Sequence, residues 1–175
     1  MAKRTAHQHK FILYKDLPLY ECGRCREYGA NCGYKCNKID NSNCRFVLHK
    51  VCAKRSNVLS APVFSRAKFD FQENCDHKMY SCTACERPIK GGFYRERNRP
   101  HMRLHPLCIR LPSRLNSPAH SHRLSLVSAR GIYTCGCCKK WRNRVWRYQC
   151  KESACKFVVD LQCAKREIHG IPMSE

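Results

Sequence analysis

The sequence predicts a small, β-rich, metal-stabilised fold: three tandem zinc modules, each of short strands with one short helix. Three observations carry this expectation. A Cys-x2-Cys pair occurs three times, at Cys22/Cys25, Cys82/Cys85 and Cys135/Cys138. Each pair is followed by an apolar run that closes on a cysteine: Cys44-Arg-Phe-Val-Leu-His49-Lys-Val-Cys52, Met102-Arg-Leu-His105-Pro-Leu-Cys108 and Cys155-Lys-Phe-Val-Val-Asp160-Leu-Gln-Cys163. The closing cysteines Cys52, Cys108 and Cys163 lie 56 and 55 residues apart, so one unit is repeated at a fixed period.

Composition agrees with small metal-held units. The chain has 175 residues, 16 cysteines and nine histidines. A repeat of about 55 residues is marginal on a hydrophobic core alone and usually needs metal or disulfides. An even cysteine count permits a disulfide framework. Against it, Met1-Ala-Lys-Arg-Thr opens the chain without the apolar stretch of a secretory signal. The histidines also recur in register with the cysteines, which disulfides do not require. Zinc in a reducing compartment, cytoplasm and/or nucleus, is therefore expected. No run is long and apolar enough to span a membrane.

Thirty-four Lys and Arg against 13 Asp and Glu give a formal charge of +21. A Cys3His zinc site carries three thiolates against two metal charges, so four such sites would leave about +17. Such a field attracts nucleic acid, acidic proteins or anionic surfaces.

The modules are expected at residues 7–55, 61–112 and 120–169. In the first, strands are predicted over 10–14 and 45–49 and a short helix over 50–55, with a polar loop over 37–43. Residues 1–6 read as a disordered basic start. A linker over 56–62 leads to the second module, with a strand over 68–71. There Gly91-Gly-Phe-Tyr94 matches Gly33-Tyr34. A second linker, 112–118, leads to the third module, with strands over 123–127 and 146–150. The β-branched and aromatic content of these runs favours strands, and none has the length of a bundle helix.

The spacings define ligand sets. Tetrahedral zinc takes four Cys or His ligands; a Cys-x2-Cys turn gives two and a later His-x2-Cys the other two. This predicts Cys22, Cys25, His49 and Cys52 in the first module, and Cys82, Cys85, His105 and Cys108 in the second. In the third, Cys135, Cys138 and Cys163 stand with Asp160 in the histidine's place. Asp160 could bind through oxygen, or Cys137 could complete the set. A second set exists. His9 and His122 each precede the Cys-x2-Cys pair by twelve intervening residues, and with Cys36/Cys44 and Cys150/Cys155 they imply a second zinc in modules one and three.

With His7-Gln-His9-Lys-Phe-Ile-Leu, Gly33-Tyr-Lys-Cys36, the Cys44–Cys52 run and Leu104-His105-Pro-Leu-Cys108, the chain resembles the plant cysteine/histidine-rich divergent C-one ("DC-one") zinc domain family. That family is related to the diacylglycerol/phorbol-ester-binding zinc module. The resemblance covers residues 7–169 and implies two interleaved zinc sites per module. It joins the N-terminal histidine to the middle cysteines, giving His122, Cys150, Cys155 and His169 in module three. In module one it gives His9, Cys36 and Cys44; Ser60 stands at the family's final cysteine, so His7 or Cys32 would complete the set. Departures are the seven residues between Cys36 and Cys44, Phe69 at the His-x12 position, and Arg97 and Pro100 near the middle cysteines. The second site of module two is expected to be lost, unless Cys75, His77 or His101 forms something irregular. About four zinc ions are expected.

No catalytic constellation is visible, so a non-enzymatic zinc-binding interaction or adaptor protein is expected; the resemblance places it in plant signalling or stress response. Diacylglycerol binding needs apolar loop tips, and the spans 26–35 and 139–149 are polar, so it is not expected. A protein-disulfide reductase using Cys135/Cys138 would need a thiol activated at a helix N-terminus in a βαβ setting, which the pattern lacks. The best partner-binding stretch is Lys139, Lys140, Trp141, Arg142, Arg144, Trp146 and Arg147: cations for phosphates or acidic proteins, aromatic faces for bases. In the alternative, Trp146 packs against Tyr148 over the zinc and the cations face water. Arg95, Arg97, Arg99 and Arg103 form a second basic stretch without aromatics.

Overall fold

The computed structural model describes residues 7, 9–37, 44–73, 79–143 and 146–171. The expectations for residues 1–6, for most of the 37–43 loop, and for Cys75, His77 and Arg144 fall outside them.

Module one is a three-stranded sheet, β1 (Phe11–Glu21), β2 (Tyr28–Cys36) and β3 (Val47–Leu48), followed by the one-turn helix α1 (Lys50–Ala53). Strand β1 runs much further than the predicted five residues. It pairs with β2 from Phe11↔Cys36 to Glu21↔Tyr28, with register shifts around Leu17.

Module two has β4 (Val58–Ala61), β5 (Phe64–Gln72), β6 (Tyr80–Ser81), β7 (Pro88–Ile89), β8 (Phe93–Glu96), β9 (Arg103–Leu104) and α2 (Pro106–Ile109). Module three repeats it as β10 (Arg114–Leu115), β11 (Leu124–Ser128), β12 (Tyr133–Thr134), β13 (Trp141–Arg142), β14 (Trp146–Cys150), β15 (Val158–Asp160) and the longer helix α3 (Leu161–His169). Their main sheets run β4-β5-β8-β9 and β10-β11-β14-β15, and the small hairpins β6-β7 and β12-β13 carry the Cys-x2-Cys turns.

The expected linkers are strands. β4 and β10 lie within 56–62 and 112–118 and form the edge of the following module's sheet. Each linker is also tied by a buried tyrosine of that module. The Tyr94 hydroxyl donates to the Ser56 carbonyl at 2.8 Å, and that of Tyr148 to the Pro112 carbonyl at 2.6 Å.

One core runs through modules two and three, with Phe69, Tyr94, Leu104, Leu124, Trp146 and Tyr148 buried. In module one the buried apolar cluster is smaller, Cys22, Cys25, Leu48 and Cys52, with Ala30, Cys36 and Val47 buried outside it. The modules meet closely. The Gly92 N–H donates to the Arg24 carbonyl at 2.8 Å. A Cβ on Gly91 would lie 2.5 Å from that same oxygen, so only glycine fits there. Arg87 reaches Gln162 of α3 at 3.1 Å, and Asn31 donates to the Gly170 carbonyl at 3.1 Å. Gly170 ends α3 in the left-handed conformation, φ 62°. Lys165, buried on α3, pairs with Glu27 of module one and lies 3.9 Å from the Cys108 sulfur of module two. A cavity of about 310 Å³ sits at this junction, with Tyr20, Cys32, His49, Leu107 and His169 among its lining. No helix among the described residues is long and apolar enough to cross a membrane.

Candidate metal centres

The three Cys-x2-Cys turns have one backbone design. The first cysteine's N–H bonds the carbonyl five residues on: Cys22 to Glu27, Cys82 to Arg87, Cys135 to Lys140. Its carbonyl accepts from the N–H four residues on, at Arg26, Glu86 and Lys139. Those three residues all take positive φ, 60°, 56° and 57°. This tight reversal aims both sulfurs to one side, toward the residues that open each helix.

In modules one and two that side holds a complete group. Cys22, Cys25, His49 and Cys52 come together, as do Cys82, Cys85, His105 and Cys108, and all eight are buried. The His49 Nδ1 lies 3.3 Å from Cys25 Sγ and 3.8 Å from Cys52 Sγ; for His105 the distances are 3.4 Å to Cys85 and 3.8 Å to Cys108. Tetrahedral zinc with Zn–S near 2.3 Å sets its ligands roughly 3.5–3.8 Å apart. On the far side of each ring, Nε2 faces a carbonyl at 3.1 Å, Tyr28 for His49 and Pro88 for His105. A carbonyl only accepts, so Nε2 carries the proton and Nδ1 presents its lone pair to the sulfurs, the usual outer support of a metal-binding histidine.

The sulfurs also compete for protons. Hydrogen bonds from Cys25 and Cys52 hold the Cys22 thiol far below its ordinary range, while Cys25 is pushed well above it. In module two, bonds from Cys108 and Cys82 lower Cys85 in the same way and Cys108 is raised. Several buried thiolates at these distances need a cation between them. The donor set fits zinc, which would be held by three thiolates and one imidazole in each group. No disulfide joins any two of the described cysteines.

A second pair of groups lies at the opposite ends of modules one and three. His7, His9, Cys36 and Cys44 form one, and His120, His122, Cys150 and Cys155 the other. The two are built alike. His7 Nε2 faces Cys44 at 3.1 Å and His120 Nε2 faces Cys155 at 3.4 Å. His9 Nδ1 faces Cys36 at 3.6 Å and His122 Nδ1 faces Cys150 at 3.7 Å. The first histidine of each pair stacks on a phenylalanine, His7 on Phe46 and His120 on Phe157, with ring planes 4° and 8° apart.

His169 does not join the module-three group, and His120 stands there instead. His169 ends α3, which carries it into the junction cavity beside His49. Burial lowers its pKa to about 4. The clue to His120 was in the sequence as the His-x-His echo. Of the two candidates to complete the module-one set, His7 is present, and Cys32 lies in the cavity wall with its carbonyl bonded to Tyr20.

Module two has no second group among the described residues. Strand register explains what replaced it. Phe11↔Cys36, Leu124↔Cys150 and Phe69↔Glu96 are equivalent pairs. Phe69 therefore corresponds to Phe11, not to His9, and buried Ala67 holds the histidine's place. The spacing misled because module two has two extra residues between this strand and its first cysteine. Glu96, only 2 % exposed, takes the middle cysteine's place and pairs with Arg99 at 3.2 Å. Arg97 pairs bidentately with Asp70 at 2.8 and 2.9 Å. His101 is exposed, and its carbonyl accepts from Arg103.

In module three Cys135, Cys138 and Cys163 gather as a triad with no fourth member among the described residues. The Cys135 and Cys163 sulfurs are 3.8 Å apart, and this bond draws the Cys135 thiol down to about 4. Asp160 sits where His49 and His105 sit, each preceding a helix at φ −57° to −64° and ψ 147° to 151°. Its carboxylate is used otherwise. Oδ1 accepts from the Gln162 N–H at 2.8 Å, capping α3, and Oδ2 accepts from the Tyr133 hydroxyl at 3.2 Å. Cys137 does not complete the triad; it faces Glu167 at 3.5 Å, and burial first of all pushes its thiol up to about 12.

The cationic stretch is divided by the fold. Lys139, Lys140 and Trp141 are exposed, Trp141 by 76 %. Trp146 is fully buried, its ring 5.7 Å from that of Phe64. Arg142 is partly buried and faces Asp160, and Arg147 lies over the Tyr133 ring and donates to the Ala129 carbonyl. In the second basic stretch, Arg97 and Arg99 are in ion pairs, Arg103 lies over Tyr80, and Arg95 is exposed.

Residues 118–164 match the family model of the C1 domain, a span that includes both the His120/His122 group and the triad. This stretch is a C1-like, zinc-binding type of module. No curated protein and no solved structure matches the chain.

Proposed function

We propose that the chain is a non-catalytic, zinc-folded interaction protein that uses the β12–β13 hairpin to engage an acidic surface of a protein partner. The observation that carries this reading is the exposure of Trp141 beside Lys139 and Lys140 at the Cys135–Cys138 turn. An exposed aromatic ring flanked by cations favours an interface anchor. The C1-like match supports an interaction module, and the resemblance to plant DC-one modules supports a role in plant signalling or stress response, in a reducing cytoplasm or nucleus. Diacylglycerol is not the expected ligand, because the single exposed ring of the 139–143 span, Trp141, stands among the cations Lys139, Lys140 and Arg142 rather than on an apolar loop tip. Reductase chemistry at Cys135/Cys138 is disfavoured by their place in a metal triad.

Nucleic acid is the second reading, favoured by the +21 charge. It has lost much of its expected surface: Trp146 is in the core and Arg147 is engaged. Titration of the zinc-loaded chain with a Glu/Asp-rich peptide and with a single-stranded oligonucleotide separates the two. Trp141 fluorescence and anisotropy give the readouts. The peptide is expected to bind at physiological salt and to lose at least tenfold with Trp141→Ala. Tighter oligonucleotide binding, falling steeply with salt, would replace this reading with the second.

A further inference from the structure

We propose that the Cys135/Cys138/Cys163 triad is an exchangeable metal site whose fourth ligand comes from solution, a small thiol or another soft donor. This extends the zinc reading of the ligand groups and is independent of the partner.

The backbone position that supplies the fourth ligand in the other two modules is present here with the same φ and ψ, but its side chain is held elsewhere. The Gln162 N–H and the Tyr133 hydroxyl occupy the two Asp160 oxygens, and the Arg142 guanidinium lies 3.6 Å from Oδ2. What Asp160 offers the triad is its backbone N–H, 3.4 Å from Cys135 Sγ. Cys137, the nearest spare sulfur in sequence, points to Glu167.

The triad is also unevenly covered. Cys135 and Cys163 are buried, whereas Cys138 is partly open and has Arg142 Nη2 at 3.9 Å. Three thiolates on a divalent ion leave a net charge of −1, which this cation balances. A carboxylate ligand would raise the negative charge to −2, and the bonds to Arg142, Tyr133 and Gln162 keep it from doing so. A donor can therefore approach from the Cys138 side. Thiolate-rich sites favour soft ligands and thiophilic ions, so free thiols and Cd2+ suit this site better than they suit the closed Cys3His groups.

The test uses the full zinc-loaded chain and a weak chromogenic chelator, with alkylation of newly accessible thiols mapped by mass spectrometry. One equivalent of zinc is expected to leave at least tenfold faster than the rest, exposing Cys135, Cys138 and Cys163. Co2+ returned to that site should show a visible spectrum that shifts when 2-mercaptoethanol is added. Asp160→Asn keeps the helix cap but is a poor metal ligand, and it should leave metal affinity unchanged. Asp160→His should slow release to the rate of the other ions and remove the response to added thiol. A tenfold loss of affinity in Asp160→Asn would make the carboxylate the fourth ligand and overturn the proposal. So would a cobalt spectrum indifferent to thiol, or a fast phase mapping to other cysteines. Failure to retain zinc at any group would sink the zinc reading itself.

Discussion

Module one gathers two four-residue ligand groups and its buried apolar cluster is Leu48 with three of those ligand cysteines, whereas module two has one group among the described residues and buries Phe69, Phe93, Tyr94, Met102, Leu104 and Ile109. Much of the apolar surface of β1 stays in water: Ile12, Leu13, Tyr14 and Leu19 are all exposed. The two modules share the Cys-x2-Cys turn, the strand pairing and the one-turn helix. They differ in what holds the end of the sheet away from that turn. In module one it is His7, His9, Cys36 and Cys44; in module two it is Ala67, Phe69 and the Glu96–Arg99 pair. Metal and apolar burial thus replace one another at equivalent positions, and a module lacking one relies on the other.

The strongest way to break this comparison is to remove metal. Structural zinc contributes on the order of 10 kcal/mol to folding in small modules. Graded chelation should abolish amide-exchange protection of β1 and β2 while β5 and β8 retain part of theirs, read by hydrogen exchange with mass spectrometry. Equal loss in both modules would mean that the larger core carries no independent stability. The reverse experiment attacks the core. Phe69→Ala should cost about 3–5 kcal/mol in denaturant unfolding, with zinc stoichiometry unchanged at module one.

A third change tests whether the modules are separable. Lys165→Met leaves Glu27 without its cation and Cys108 without the nearby positive charge. A loss of about 3 kcal/mol is expected, with faster zinc release from the Cys82–Cys108 group than from the Cys22–Cys52 group. The smallest effect concerns the junction cavity. Burial lowers the pKa of His169 from 6.5 to about 4, so the folded chain favours the neutral ring. The unfolded chain binds the extra proton first as pH falls. This contribution is therefore fully present above about pH 6.5 and lost progressively toward about pH 4. His169→Phe should flatten that part of the stability–pH profile; an unchanged slope would place His169 in water.

The fold and most members of the clusters that could hold zinc were legible because such clusters are built from local spacings. Cys22, Cys25, His49 and Cys52 declare themselves by spacing, since a turn and a helix start fix their separations. What spacing could not show was long-range. His169 and His120 lie on opposite sides of the module-three sequence, and only the path of α3 decides which meets Cys155. Phe69 was misplaced by a two-residue insertion that strand pairing reveals and a residue count does not. Asp160 read as a histidine substitute because its competing bonds, to Tyr133 and Arg142, come from a different hairpin. The linkers read as irregular because two- and four-residue strands carry little alternation. The division between Trp141 and Trp146 follows from neighbouring β-strands, one on the outer hairpin and one in the main sheet.

Lys165 touching Glu27 of the first module and Cys108 of the second has a topological consequence. Repeat proteins are usually open arrays in which each unit meets only its neighbours, so units can be added or deleted with modest effect. Here the last helix returns to the first module, and the array is closed like an arch by its keystone. A module inserted or deleted between Glu27 and Lys165 would move the two out of reach of each other, so geometry fixes the spacing between the modules they join.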